Sequence, residues 1–133
     1  MFLKTVVAVG GALLLVPACH DEGPSPLAHC PDSVAVSVGA GTTPTIGWTP
    51  SCRASRVIVD PNSDVVDAWI LATVGDTDGL APPIRYGASP NGSATMFGPE
   101  ALQAGMFYRV RILRAPADTG QPFDIVGGTY FTP

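Results

Sequence analysis

The 133-residue sequence contains little positive charge. It has one lysine, Lys4, and charged residues of both signs make up 14% of the chain. Downstream of residue 18, six arginines stand against eleven acidic residues, a formal charge of −5 with histidine neutral. Nucleic-acid-binding proteins present a basic patch to the phosphate backbone, and this chain lacks one. The composition therefore excludes a nucleic-acid partner.

Residues that could support catalysis are also scarce. The two histidines, His20 and His29, precede the strand-forming part of the chain, so a Ser/His/Asp triad within it is not available. Two cysteines and two histidines are suitable zinc ligands, but His20, His29 and Cys30 lie in or beside a proline-broken segment. Asp76-x-Asp78 lacks the later bidentate glutamate of a calcium loop. We therefore predict a protein that is not an enzyme and holds no metal or cofactor.

The N-terminal apolar run, Thr5 to Val16, is uncharged and follows Lys4. A membrane-spanning helix needs about 20 apolar residues, whereas this shorter run is typical of a secretory signal peptide. It ends in Leu15-Val16-Pro17-Ala18-Cys19, which resembles the lipobox of bacterial lipoproteins. The resemblance implies a signal peptide over residues 1–18 and a lipid on Cys19 that anchors the protein to a membrane. Val16-Pro17-Ala18 also fits an ordinary signal-peptidase site, which would give a soluble secreted protein.

The cysteine count favours lipidation. The chain has three cysteines, and an odd cysteine in an exported protein needs an explanation. Lipidation of Cys19 leaves Cys30 and Cys52, which we expect to form a disulfide in an oxidising compartment. An aspartate directly after the lipidated cysteine resembles an inner-membrane retention signal in Gram-negative bacteria. His20 stands there instead, which favours the outer membrane, on its periplasmic or its surface side.

The remainder of the chain divides into a tether over residues 19–31, which contains the lipidated cysteine, and one domain over residues 32–133. Strand-like segments in the domain are 34–38, 45–49, 56–59, 65–74, 84–87, 107–113 and 125–131. Turn signals separate these segments every eight to twelve residues, and none is long enough for a crossover helix. The pattern predicts an all-β fold, a seven-stranded antiparallel β-sandwich.

Several residues of the domain resemble a fibronectin type III domain over about residues 32–133. They are Trp48, with a proline soon after it, and the series Leu102-x-x-Gly105-x-x-Tyr108-x-Val110-x-Ile112. We expect Trp48 to be a core residue. The resemblance implies that Leu102 and Gly105 belong to a corner whose backbone bonds the hydroxyl of Tyr108. The third strand lacks the usual aromatic residue and Trp69 is unexpected, so an Ig-like sandwich of different topology stays an alternative.

A candidate binding surface is formed by residues predicted to lie on the outside of the sandwich: Arg56, Trp69, Phe107, Arg109 and Arg111. Arginines beside exposed aromatic rings can hold a glycan or an acidic partner. A solvated sheet face, on which arginines deter edge-to-edge pairing, shows the same pattern. Of the two interpretations, the sequence favours the solvated face.

We therefore expect a non-catalytic, lipid-anchored protein of the cell envelope, with a structural role or with an envelope protein or a glycan as its ligand. One alternative is a carbohydrate-binding module, which requires Trp69 or Phe107 in a shallow exposed groove; a fully buried Trp69 would exclude it. The other is a subunit of an envelope assembly, which requires an apolar edge strand exposing more than a few hundred Å².

Overall fold

The computed structural model describes residues 27–62, 66–75 and 77–133. The predicted signal peptide, Cys19 and His20 lie outside the described residues, as do Asp64 and Asp76. Within the described ranges, no helix has the length and hydropathy needed to cross a bilayer.

The described chain forms eight strands. They are β1 Ala35–Val38, β2 Thr45–Thr49, β3 Arg56–Pro61, β4 Trp69–Thr73, β5 Ile84–Arg85, β6 Ser93–Phe97, β7 Tyr108–Arg114 and β8 Asp124–Phe131. One sheet has the order β1-β2-β5 and the other the order β6-β4-β3-β7-β8, and all pairings are antiparallel. The predicted all-β sandwich is confirmed, with eight strands in place of seven.

The additional strand is β6. Its residues are half-buried or exposed, so the sequence shows no alternation of buried apolar and exposed polar positions. β6 pairs only with β4 in the described sheet, and the register shifts between Ile70 and Leu71. Because Phe97 lies opposite Ile70 and Thr95 opposite Leu71, Met96 is the extra residue of a β-bulge.

The core follows the period of two that the sequence shows. In β7, the buried residues Tyr108, Val110 and Ile112 alternate with the half-buried residues Arg109 and Arg111. Burying a large apolar side chain contributes about 1.5–3 kcal/mol to the free energy of unfolding. The buried side chains of one such strand therefore contribute substantially to the stability of the domain.

Trp48 lies in the core with 3% of its surface exposed, as predicted. Its indole N–H donates a hydrogen bond to the backbone oxygen of Cys52 over 2.9 Å. Because an unpaired buried donor is costly, this bond stabilises the buried position of Trp48. Trp48 therefore also fixes the turn that follows β2.

Trp69 is fully buried, and its assignment to the outer surface was wrong. It lies opposite Val59 of β3, whose side chain is also fully buried. Three successive apolar residues, Trp69-Ile70-Leu71, do not indicate which face points inward, and the pairing with β3 decides it. The ring of Trp69 packs edge-on against Tyr86 with centroids 5.1 Å apart. Trp69 therefore cannot supply the exposed ring of a carbohydrate-binding groove, and of the two residues named for that alternative Phe107 is the exposed one.

The N-terminal end of the domain packs against β8. The backbone N–H of Val34 donates to the oxygen of Val126 over 2.8 Å. A β-carbon on Gly127 would lie 2.6 Å from a methyl group of Val34 and 2.7 Å from its backbone oxygen. Only glycine allows this approach. The contact brings the start of β1 beside the last strand of the other sheet.

The strand pairings define two ends of the sandwich. The tether-proximal end contains residues 27–34, 50–55, 74–75, 77–83 and 114–124. The distal end contains residues 39–44, 61–62, 66–68, 98–107 and 131–133. The chain enters the domain at the tether-proximal end, so any anchor attached before residue 27 is connected to that end.

Candidate functional site

The predicted arginine surface exists, but its arginines have internal partners. Arg109 lies opposite Asp60 and Arg111 opposite Ile58, which places both on the outer face of the five-stranded sheet. The Nε of Arg109 is 3.2 Å from Oδ1 of Asp60, and Nη2 of Arg111 is 3.0 Å from Oδ2. The carboxylate of Asp60 is buried, and a buried charge needs opposite charge beside it. These two arginines therefore compensate Asp60.

Arg111 has a second acidic neighbour, and Arg56 contacts an aromatic ring. Nη2 of Arg111 lies 3.6 Å from Oδ1 of Asp67. The guanidinium carbon of Arg56 lies 4.0 Å from the centroid of Phe123, which is a cation–π contact. Arg56 is on β3 beside β7, as expected from pairing of these two strands. A ligand at this face would compete with contacts that already exist.

Phe107 is exposed and stacks on Tyr130. The ring centroids are 5.2 Å apart with an interplanar angle of 12°, and about half of each residue is exposed. Tyr130 lies opposite Arg109, so Phe107 is its diagonal neighbour at the start of β7. The pair forms a small aromatic surface at the margin of the distal end.

The corner before β7 positions Phe107. The hydroxyl of Tyr108 accepts a hydrogen bond from the backbone N–H of Gln103 over 2.9 Å, which is a contact with the corner backbone. Leu102 is buried, while Gly105 has a φ of 81°, a conformation that favours glycine. The structure thus brings together Leu102, Gly105 and Tyr108, and this rigid corner holds the residues between them at the surface.

A hollow of about 250 Å³ opens beside this corner, and we call it the distal hollow. Its lining includes Pro61, Val66, Asp67, Glu100, Met106 and Tyr108. Val66 is 58% exposed and Met106 is 41% exposed, so apolar surface faces the solvent around the opening. The hollow is shaped by residues that are far apart in the sequence.

Exposed apolar side chains are concentrated at this end. Of the nine large hydrophobic residues that are exposed in the described part of the chain, six lie at or beside the distal end. They are Val66, Met96, Phe97, Met106, Phe107 and Tyr130. Clusters of exposed apolar residues on a soluble domain are typical of interaction surfaces, whereas single ones are normal.

The tether-proximal end has a different character, because polar contacts fix the incoming chain there. His29 Nδ1 donates to Oδ2 of Asp78 over 2.7 Å, and the backbone N–H of Ala115 donates to Oδ1 over 2.8 Å. Nη2 of Arg53 lies 3.4 Å from Nε2 of His29. The buried carboxylate of Asp78 thus links three segments. The sequence did not predict this cluster, because His29 was assigned to the tether and Asp78 was considered only as part of a calcium loop.

Arg114 also holds the incoming chain in place through hydrogen bonds. It donates to the backbone oxygen of Cys30 over 3.0 Å, to Asp32 over 2.9 Å and to Asp124 over 3.0 Å. The hydrogen bonds to Asp124 and then to Asp32 raise the pKa of Arg114. A cavity of about 550 Å³ lies between Arg114 and His29. No group of three or more metal-ligating side chains occurs in the residues that the structure describes.

Cys30 and Cys52 form the predicted disulfide, with sulfur atoms 2.02 Å apart. Both residues are buried. The flanking backbone is paired as well: Arg53 N–H donates to Ala28 and Cys30 N–H donates to Arg53. Cys30 is therefore part of the packed domain.

No protein-family model, no curated protein and no solved structure matches this chain. The two ends of the sandwich differ in character. The charged groups of the tether-proximal end hold the protein's own chain, whereas six large apolar side chains are exposed at or beside the distal end, and two of them, Val66 and Met106, line the distal hollow.

Proposed function

We propose that the protein is a non-catalytic, lipid-anchored protein of the bacterial outer membrane that binds another envelope protein through the distal end of its sandwich. The observation that carries the proposal is that six of the nine exposed large apolar residues in the described chain lie at or beside that end. The lipobox-like sequence ending in Cys19 supports the anchor.

The geometry suits such a role. An extended chain spans at most about 3.6 Å per residue, so the eight steps from Cys19 to Leu27 can separate the domain from the lipid by up to about 29 Å. The tether enters at the tether-proximal end, so the distal end is turned away from the membrane in this arrangement. Multiple acyl chains on one cysteine give stable attachment, which a single chain does not.

The polar groups at the tether-proximal end support a structural role for that end. His29 and Asp78 have the hydrogen bond of a catalytic dyad, but Nε2 of His29 faces the guanidinium of Arg53 at 3.4 Å. A general base needs its free nitrogen within reach of a substrate proton. The contact with Arg53 occupies that nitrogen, so we propose that the cluster fixes the domain to its tether.

The anchor is tested by the intact mass of the full chain after membrane extraction, with and without reductant. We expect a mature chain that begins at Cys19 and carries acyl groups, with one reducible bond. Cys19→Ser is the matched control and should yield unprocessed or unacylated protein. A wild-type protein of unacylated mass, recovered in the soluble fraction, would contradict the anchor.

Binding at the distal end is tested by a photo-crosslinking amino acid placed in the full-length protein in cells. The crosslinker at position 107 tests the distal end, and position 125 is the control. The two positions are similarly exposed, at 50% for Phe107 and 58% for Ile125, but Ile125 lies at the opposite end of the sandwich. We expect a protein adduct from position 107 and none from position 125. Equal adducts at both positions, or none at position 107, would contradict the proposed binding end.

A further inference from the structure

We infer that the distal hollow takes a large apolar side chain that is flanked by an arginine or a lysine, on a segment of the partner protein. This inference rests on the proposed function and specifies the chemistry of the partner. Three properties of the hollow support it: its size, its charge and its rigidity.

The size of the hollow fits one side chain. Pockets for drug-sized ligands have volumes of about 300–1,000 Å³, and the distal hollow is smaller, at about 250 Å³. Interfaces between proteins depend on a few anchor side chains that enter such hollows. Val66 and Met106 supply the apolar rim, and methionine adapts its shape to what it contacts.

The charge of the hollow specifies the flanking residue. The charged residues in its described lining are Asp67 and Glu100, both acids. Asp67 lies 3.6 Å from Arg111, whereas the exposed carboxylate of Glu100 forms no ion pair with any residue in the described ranges. A cation of the partner beside Glu100 would therefore add an ion pair without breaking an existing one. Complementary charge at the rim gives specificity and faster association.

The backbone that carries Glu100 is held in place from two sides. Its N–H donates to the oxygen of Ala68 over 2.8 Å, and its own oxygen accepts from the hydroxyl of Tyr86 over 2.6 Å. On the other side of the hollow, the hydrogen bond between Gln103 and Tyr108 fixes the corner that carries Met106. A preorganised site loses less conformational entropy when it binds.

The test uses the full-length protein in isolated outer membranes, with the photo-crosslinking amino acid at position 106. We expect an adduct whose partner peptide contains a large apolar residue within a few positions of arginine or lysine. When the partner is present at a limiting concentration, Glu100→Gln should lower the adduct yield by about two- to fivefold, which is the change in affinity expected from losing one exposed ion pair. A higher salt concentration should also lower the yield, because salt screens the ion pair. Asp118→Asn, which removes an exposed carboxylate at the tether-proximal end, is the matched control and should leave the yield unchanged.

The outcomes separate the two proposals. If a partner is crosslinked at position 106 but neither Glu100→Gln nor salt changes the yield, the inference about partner chemistry is overturned and the proposed binding end stands. If the adduct is a second copy of this chain, the inference is overturned as well. If positions 106 and 107 give no adduct while a control position elsewhere does, the proposed function itself fails. Circular dichroism of Glu100→Gln verifies that the variant is folded.

Discussion

Tyr86 provides a direct test of how the two sheets pack. Its ring is 7% exposed and lies against Trp69, and its hydroxyl donates to the backbone oxygen of Glu100 over 2.6 Å. Burial, and to a smaller extent the charges of Tyr108 and Glu100, raise the pKa of Tyr86 from 10.0 to about 12. The phenol should therefore keep its proton at a pH at which an exposed tyrosine has lost it.

The shift predicts how stability depends on alkaline pH. Because the pKa of Tyr86 is higher in the folded than in the unfolded chain, the folded state binds the proton more tightly. Its contribution to the free energy of unfolding is complete below pH 10 and is lost as the pH rises from 10 to about 12. Two pKa units correspond to about 2.7 kcal/mol, and we expect about 1–2 kcal/mol because solvent near the distal end screens the charge.

The assay combines an ultraviolet absorbance titration of the three tyrosines with urea unfolding at pH 9 and at about pH 11.5. The titration should contain a step near pH 12 that belongs to Tyr86, and Tyr86→Phe should remove that step. Tyr86→Phe should also lose less stability between the two pH values than the wild type, whereas Tyr130→Phe, at an exposed position, should behave like the wild type. A titration with no step near pH 12, or one in which Tyr86→Phe leaves such a step in place, would refute the reasoning.

Two further predictions concern the tether-proximal end. Replacing both Cys30 and Cys52 by alanine should lower the free energy of unfolding by about 3 kcal/mol, because the bond closes a loop across 22 residues of sequence. Urea unfolding measures this, and an unchanged midpoint would contradict it. Asp78→Ala should lower stability by about 1–3 kcal/mol, because it removes the acceptor for His29 and for the N–H of Ala115. Hydrogen exchange at Ala115 should then become faster, and unchanged exchange would show that the bond is not formed in solution.

The sandwich and its core could be predicted because they depend on local periodicity. From Tyr108 to Ile112 in β7, buried residues alternate with half-buried ones, and the sequence shows this alternation directly. The disulfide could be predicted from the number of cysteines once Cys19 was assigned to the lipid. Each of these predictions needed only the order of residues within one segment or their count in the chain.

Three features were missed because they depend on pairing between segments. Trp69 is buried because of its register with β3, and its own segment does not show which side faces inward. β6 is a strand because β4 offers it a free edge, although its own residues have little strand character. His29 and Asp78 are 49 residues apart, and they meet because the backbone around His29 pairs with that of Arg53.

The same dependence on pairing decides which charges are open to a partner. Arg109 and Arg111 look like free cations on an outward face, but the register of β3 and β7 places the buried carboxylate of Asp60 between them. A ligand that took these arginines would leave Asp60 short of its compensating charge, and that cost opposes binding. Glu100 does not compensate a buried charge, since its carboxylate forms no ion pair within the described residues. On the proposed function, a cationic partner beside Glu100 would form its ion pair without this cost, whereas an acidic ligand at the arginine face would incur it.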